Sequence, residues 1–228
     1  RQVYVINGAL AIANADGTNQ KVILSNGASN TSPSWSPDGT QLSFLRYPDQ
    51  SNPELYTKEF ATGSLTNNSQ NADYESAADW SPDGMSLVYA RPASLALDFS
   101  FDGASLAVAR FSPATSTFGS PQTLVPSNGV SNNYYPSYSP DGQWIGYVTA
   151  SEMRKVPLSG GTPLTICKVN RSRGANWGPD GTIVFAPNST SGLLRLSAEG
   201  GTPQVLTTLD PSRHESSHRF PEVLPNGC

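Results

Sequence analysis

Two histidines, the only two in the chain, flank a glutamate in a His-Glu-x-x-His motif made by His214, Glu215 and His218. On a helix this spacing places both imidazoles on one face, where they bind zinc while the glutamate acts as general base. A helix is disfavoured here, because Pro211 lies three residues before the motif and Pro221 three residues after it. A looped segment could still hold a divalent cation, since imidazole and carboxylate suit zinc or manganese. The sequence therefore leaves open a polar loop and a metal site without a helix.

Other catalytic arrangements are absent from the sequence. The chain contains no Gly-x-Ser-x-Gly nucleophile motif and no Gly-rich phosphate-binding motif of the P-loop or dinucleotide type. The two cysteines, Cys167 and Cys228, lack the Cys-x-x-Cys spacing of zinc or redox sites, and the sequence does not decide whether they pair. We therefore predict no catalytic residue outside the histidine motif.

Composition excludes some partners and indicates the fold class. Lys and Arg total 14 against 18 for Asp and Glu, so the net charge is -4, the wrong sign for binding nucleic acid or anionic lipid. No apolar stretch approaches the roughly 18 residues that a membrane span needs. Gly (20) and Pro (19) are abundant, and because both interrupt helices they favour an all-β fold.

A repeat runs through the whole chain and must position the histidine motif. Each copy carries a Pro-Asp-Gly turn, and the copies are Pro33 to Gly39, Ala78 to Gly84, Pro136 to Gly142, Ala175 to Gly181 and a degenerate Pro221 to Gly227. The Asp or Asn positions are 45, 58, 39 and 46 residues apart, and 40 through the joined ends, so the intervals total the full 228 residues. Such intervals match one four-stranded blade of a β-propeller.

The repeat predicts a single propeller domain over residues 1–228, with five four-stranded blades. The chain ends after a first strand, residues 218–223, and begins with a second strand, residues 3–6. We expect these terminal strands to pair and close the ring, which removes an open sheet edge. An alternative is six blades with one stunted, because Ser100 to Gly103 resembles another turn. The preferred alignment instead makes residues 92–103 a loop between two strands of one long blade.

The turn and its flanks, Ser32 to Phe44 with Ala13 to Thr18 before them, resemble the propeller repeats of the TolB C-terminal domain, a Pro-Asp-Gly class of WD-like propellers. Gly174 to Gly227 is similar in particular to propellers fused behind bacterial serine/threonine kinases. The resemblance implies the fold and an extracytoplasmic bacterial setting, periplasmic or secreted. It does not single out a function, because related propellers include periplasmic binding proteins, sensor ectodomains, gates of peptidases and metal-dependent lyases.

One aromatic residue recurs in each of four copies just before the turn: Trp35, Trp80, Tyr138 and Trp177. We expect these rings to pack between blades, since each sheet must bury both faces. The residue before each aromatic position points to the opposite face of its strand, and all five are polar: Ser34, Asp79, Ser137, Asn176 and Glu222. These five side chains could contact a ligand near the central channel, or they could form hydrogen bonds between blades.

Two further stretches could contact a partner or cover their own blade: Tyr134 with Tyr135, and the apolar loop Leu95 to Phe101. The sequence predicts a monomeric, non-enzymatic propeller without a cofactor, which presents one face to a protein, peptide or glycan ligand. The alternative is a metal-dependent polysaccharide lyase or hydrolase, with His214, Glu215 and His218 at the mouth of the channel.

Overall fold

The computed structural model describes residues 2–14, 16–25, 27–48, 53–69, 75–93, 103–115, 117–129, 132–219, 221 and 223. Within these residues the strands form five antiparallel sheets. A 3-10 helix at Pro211–Arg213 is the one helical element of this described part. The sheets are the blades of a five-bladed β-propeller, which confirms the predicted all-β fold class.

Each blade is a short antiparallel meander in chain order. The terminal blade contains β1 (Gln2–Ile6), β2 (Ala9–Ala13) and β3 (Lys21–Leu24). Blade 1 contains β4 (Ser29–Trp35), β5 (Gln41–Tyr47), β6 (Glu54–Glu59) and β7 (Leu65–Asn67); blade 2 contains β8 (Ser76–Trp80), β9 (Ser86–Arg91), β10 (Ser105–Ser112), β11 (Thr117–Phe118) and β12 (Gln122–Val125). Blade 3 contains β13 (Tyr134–Tyr138), β14 (Trp144–Val148), β15 (Glu152–Pro157) and β16 (Leu164–Lys168); blade 4 contains β17 (Ala175–Trp177), β18 (Thr182–Phe185), β19 (Leu194–Ser197) and β20 (Gln204–Val205).

The Ser-Pro-Asp-Gly sequence forms the first hairpin of each of blades 1 to 3. In blade 1 the Ser36 hydroxyl donates to Asp38 Oδ1 at 2.6 Å and accepts from the backbone N–H of Gln41 at 2.9 Å. The N–H of Thr40 also donates to Asp38 Oδ1, at 3.0 Å. Gly39 takes a φ of 67°, which glycine adopts without strain. The same contacts recur around Asp83 and Asp141, and in blade 4 Asp180 accepts from the N–H of Thr182. The prediction that these aspartates are turn residues is confirmed.

The second strand of each complete blade is the most buried one. Four neighbouring positions of β9 and of β14 are buried, as are the first five of β5. These strands lie between two partners in their own sheet and against neighbouring blades on both faces, so successive positions are buried, including the polar Gln41 and Ser43 of β5. The aromatic residues before the turns complete the packing: Trp35 stacks on Phe60 at 5.0 Å between ring centroids, and Trp80 meets Phe111 edge-on at 5.4 Å.

Blade 2 accounts for the longest repeat interval. Strand β9 pairs with β10 in a register that joins Arg91 to Ser105, so both strands belong to one blade. The six-blade alternative is therefore wrong. The blade also contains a short strand that the sequence did not predict. Since β10 continues beyond its pairing with β12, its last residues, Phe111 and Ser112, pair with β11 in a small hairpin.

The predicted closing strand, residues 218–223, falls partly outside the described residues. The described positions of this segment are not assigned to a strand. Val223 is nevertheless hydrogen-bonded to blade 4, because its backbone N–H donates to Asn176 Oδ1 at 2.9 Å. At the other end of the ring, β1 and β2 contact β4 of blade 1.

Two smaller findings concern the cysteines and membrane spans. Cys167 is a half-buried free thiol, and burial raises its pKa, while Cys228 lies outside the described residues. In the part of the chain that the structure describes, no helix has the length and apolar character to cross a bilayer.

Candidate ligand-binding channel

The innermost strands of the blades converge on a cavity of about 580 Å³ at the centre of the ring. Four of the five polar side chains predicted to form a ring lie in its wall, one from each of blades 1 to 4: Ser34, Asp79, Ser137 and Asn176. Glu222, the fifth, lies outside the described residues. Between the polar groups the wall is apolar, with Val5, Pro33, Ala78, Pro136, Ala175 and Pro221.

Three members of this ring, Asp79, Ser137 and Asn176, also take part in hydrogen bonds that leave their own blade. The Asp79 carboxylate in blade 2 accepts from the backbone N–H of Tyr138 at 2.9 Å and from the Ser137 hydroxyl at 3.0 Å, both in blade 3. The amide oxygen of Asn176 accepts the Val223 N–H in the same way. The two interpretations of the ring are thus compatible, because inter-blade hydrogen bonds fix polar groups that also face the channel.

The first strands that line the channel contain β-bulges that the sequence did not predict. The first strands of blades 1 to 3 each shift register just before the polar ring position. In blades 1 and 3 the shift includes a residue with positive φ, Ser32 at 48° and Tyr135 at 50°. A bulge re-aims side chains locally, and both residues line the cavity. Nothing in the alternating pattern of the strand signals this change.

The aromatic residues before the turns pack away from the channel. Trp80 and Tyr138 are buried, and Trp35 and Trp177 are half-buried, each within a hydrophobic cluster. None of them is among the described residues that line the central cavity. The Tyr138 hydroxyl lies 2.8 Å from the Ser86 hydroxyl of the preceding blade. The predicted role in inter-blade packing is confirmed.

Tyr134 and Tyr135 lie beside three arginines, Arg171, Arg173 and Arg219, which we call the arginine cluster; the charges of Arg171 and Arg173 act on Tyr134. Arg173 forms a hydrogen bond with the Tyr135 side chain, and the charge of Arg219 also acts on this side chain. Burial raises the pKa of Tyr135, and both guanidinium charges oppose this rise. The neighbouring Tyr134 is buried, and its hydroxyl donates to the carbonyl of Thr149 at 3.0 Å. Of the predicted tyrosine pair, only Tyr135 therefore lines the channel; the other predicted contact stretch, residues 95–101, lies outside the described residues.

The sequence offered one signal for this cluster, the pair Arg171 and Arg173 two residues apart. Arg219 lies 46 residues after Arg173, close to the repeat interval. Only the folded ring shows that both connections reach the same tyrosine, so the cluster could not be assigned from spacing alone.

The histidine motif lies in the connection between β20 and the terminal blade. His218 Nδ1 is 2.7 Å from the Thr207 hydroxyl, and His218 Nε2 is 3.1 Å from Glu215 Oε2. The backbone N–H of Asp210 donates to the same Glu215 oxygen at 2.8 Å, and this bond contributes most to lowering the pKa of Glu215. His214 ends the short 3-10 helix, with a φ of 57°.

This geometry does not assemble the three motif residues. The segment after the 3-10 helix is irregular, so the zincin arrangement does not form. In the described ranges no three His, Cys, Asp or Glu side chains are grouped closely enough to hold a metal ion. None of His214, Glu215 and His218 is a described residue of the cavity wall. The motif forms a hydrogen-bonded polar connection between blades.

Five antiparallel blades arranged around a partly polar channel define the class of protein, a β-propeller. The sequence profile of the TolB beta propeller domain matches residues 2–228. The chain therefore belongs to the TolB β-propeller family.

Individual relatives agree with this assignment. The Tol-Pal system protein TolB of Alcanivorax borkumensis is 37% identical over 78 residues, which are 34% of this chain and 18% of that protein. TolB from Acinetobacter baumannii superposes with a TM-score of 0.68 at 18% identity, over 89% of this chain and 50% of that one. Puromycin hydrolase, an enzyme, superposes with a TM-score of 0.66 at 15% identity, over 88% of this chain and 35% of that one.

The two structural similarities establish the fold alone, because their identities are below 20%. The chain spans half the length of the Acinetobacter TolB, and the matched segment is a smaller share of the Alcanivorax protein. The similarity of Gly174 to Gly227 to kinase-fused propellers is not tested by these relatives and stays a prediction.

Proposed function

We propose that this chain is a non-enzymatic binding module that receives a peptide segment of a protein partner in its central channel. The observation that carries the proposal is the cavity of about 580 Å³ at which the blades meet. Its volume lies within the range of about 300–1,000 Å³ that is typical of ligand pockets. Membership of the TolB propeller family supports a partner-binding role, and on the same basis we propose an extracytoplasmic bacterial setting.

The construction of the wall favours binding. Asp79 and Asn176 are held by hydrogen bonds to the next blade, so their positions are fixed before a ligand arrives. A preorganised site loses less conformational entropy on binding. The apolar patches between the polar groups, including Pro33 and Pro136, offer contact area for aliphatic side chains. This combination of fixed polar groups and apolar area is typical of peptide recognition.

The metal-dependent lyase or hydrolase has no specific observation in its favour. Both ring nitrogens of His218 already have hydrogen-bond partners, and none of the three motif residues is among the described residues that line the cavity. We therefore assign no catalytic residue in this chain.

Site-specific photo-crosslinking tests the proposal. Benzoylphenylalanine would replace Ser34 in the channel wall, and in a matched control it would replace Val205, which is 68% exposed on outer strand β20. We expect a discrete adduct with a protein in bacterial periplasmic extract from the channel position, competed by excess unmodified chain. Equal adducts from both positions, or none from the channel position, would contradict the proposal.

A further inference from the structure

We propose that the arginine cluster of Arg171, Arg173 and Arg219 beside Tyr134 and Tyr135 binds a carboxylate group of an acidic peptide segment that occupies the channel. This inference rests on the proposed function and gives the chemical character of the partner.

The three arginines belong to two connections between blades, and their charges act on the neighbouring tyrosines Tyr134 and Tyr135. The connection between β16 and β17 contains two of them, with the N–H of Arg171 bonded to the carbonyl of Ala150 at 2.9 Å and that of Arg173 to the carbonyl of Ala186 at 3.1 Å. The third belongs to the following connection, where the Arg219 guanidinium donates to the carbonyl of Ser189 at 3.0 Å. The first connection leads into the innermost strand β17, and Gly174 and Pro221, which are close in sequence to Arg173 and Arg219, line the cavity together with Tyr135.

The positive charge of this cluster is not balanced by carboxylates in the described part of the chain. Two cations elsewhere in the ring are paired: Arg154 lies 2.6 Å from Glu152, and Lys155 lies 2.8 Å from Glu199. No corresponding ion pair joins any of the three clustered arginines to a described acidic residue. In a chain whose acidic residues outnumber its basic ones, three such guanidinium groups at one place form a local positive potential, which attracts an anion.

Arg173 supplies an independent indication. Its Nε is buried and has no hydrogen-bond acceptor in the described structure, although another part of its guanidinium bonds to Tyr135. A buried donor without a partner costs free energy, and natural structures rarely leave one unpaired. Guanidinium groups match carboxylates through two parallel hydrogen bonds. A ligand carboxylate that pairs with this guanidinium would neutralise the cluster.

The adjoining wall favours a peptide as the source of this carboxylate. Beside Tyr135 the cavity continues along Pro136, Ala175 and Pro221, which are apolar. A peptide supplies aliphatic side chains for such a surface together with an acidic group for the arginines. A uronate-containing glycan presents mainly hydroxyl groups, which apolar side chains do not bond.

Fluorescence anisotropy with labelled tetraglutamate and labelled tetraglutamine tests the inference. We expect the tetraglutamate to bind at least about tenfold more tightly, and Arg173→Gln to remove most of that preference. Arg110→Gln is the matched control, because Arg110 is an exposed residue of β10 whose charge acts on Asp83 in the first hairpin of blade 2. It should change the affinity less than twofold. If Arg173→Gln does not fold, as judged by circular dichroism, Arg219→Gln replaces it, because Arg219 is exposed.

Three outcomes would overturn the inference: equal binding of the two peptides, equal losses in Arg173→Gln and Arg110→Gln, or stronger competition by trigalacturonate than by unlabelled tetraglutamate. Complete displacement by an equal concentration of sulfate would also overturn it, by indicating non-specific anion attraction. The photo-crosslinking result separates this inference from the proposed function. If the channel adduct persists in Arg173→Gln while the glutamate preference is absent, the binding module stands and the carboxylate site alone is wrong.

Discussion

The carboxylate of Asp79 accepts the backbone N–H of Tyr138 across the boundary between blades 2 and 3, at 2.9 Å. The equivalent contact between Asn176 and Val223 joins blade 4 to the C-terminal segment. Both acceptors occupy the position before the repeated aromatic residue, so one repeat position serves both the cohesion of the ring and the wall of the channel.

We expect Asp79→Ala to lower the free energy of unfolding by about 1–3 kcal/mol, because it leaves the Tyr138 N–H and the Ser137 hydroxyl without their acceptor. Asp79→Asn should lower the free energy of unfolding by less, since the amide oxygen of Asn176 accepts a backbone N–H at the equivalent position of blade 4. Urea denaturation monitored by tryptophan fluorescence measures both variants. Equal stability of Asp79→Ala and the unmodified chain would show that the inter-blade bond adds nothing.

Acid should destabilise the ring through its turns. Hydrogen bonds from the hydroxyls of Ser36, Ser81 and Ser139 are the largest causes that lower the pKa of Asp38, Asp83 and Asp141 respectively. A carboxyl whose pKa is lower in the folded state stabilises the fold fully above its unfolded pKa, about 4, and this contribution is lost as the pH falls through the folded pKa. We therefore expect the free energy of unfolding to decrease below about pH 4.

The triple variant Ser36→Ala, Ser81→Ala, Ser139→Ala tests that cause. Its free energy of unfolding should depend less steeply on pH below about pH 4, because the largest cause of the lowered pKa is absent. Ser217→Ala is a control, since the Ser217 hydroxyl accepts from Arg219 and bonds to no aspartate. A triple variant with the slope of the unmodified chain would contradict this origin of the acid sensitivity.

The repeat made the fold predictable, because the Pro-Asp-Gly turns and apolar second strands are local signals. The hairpin around Asp38 formed as the turn chemistry required, and the β9 to β10 pairing followed from the spacing of the blade. The polar ring was also predictable, since side chains alternate along a strand and Ser34 and Ser137 both reach the channel.

The rest of the site depends on contacts that spacing does not encode. Tyr135 reaches the cavity through a bulge with positive φ, which breaks the alternation that a sequence reading assumes. The contact of Arg173 with Tyr135 joins the connection between blades 3 and 4 to the first strand of blade 3, which only the folded chain brings together. The histidine motif is the opposite case. Its spacing suggested a metal site, whereas in the folded chain His218 is hydrogen-bonded to Thr207 and Glu215.

Gly192 should be intolerant of a side chain. A Cβ at this position would lie 2.0 Å from the carbonyl oxygen of Thr207, on the residue that also bonds to His218. We expect Gly192→Ala to destabilise the chain by about 1–3 kcal/mol, as overpacking does, and to increase hydrogen exchange in the segment from Thr207 to His218. Gly119→Ala is the matched control, because its nearest neighbour would be 3.8 Å away. Similar stability of the two variants would show that Gly192 has room to move.

Zinc titration followed by calorimetry decides between a structural and a metal-binding role for the histidine motif. A metal at either ring nitrogen of His218 would have to replace the bond to Thr207 or the bond to Glu215. We therefore expect no stoichiometric heat from zinc. We also expect His218→Ala to lower Tm more than His214→Ala, since the His218 side chain bonds to both Thr207 and Glu215. Stoichiometric heat that disappears in both alanine variants would contradict this expectation. It would instead support the metal-dependent alternative, because both imidazoles would then be ligands despite their separate positions in this connection.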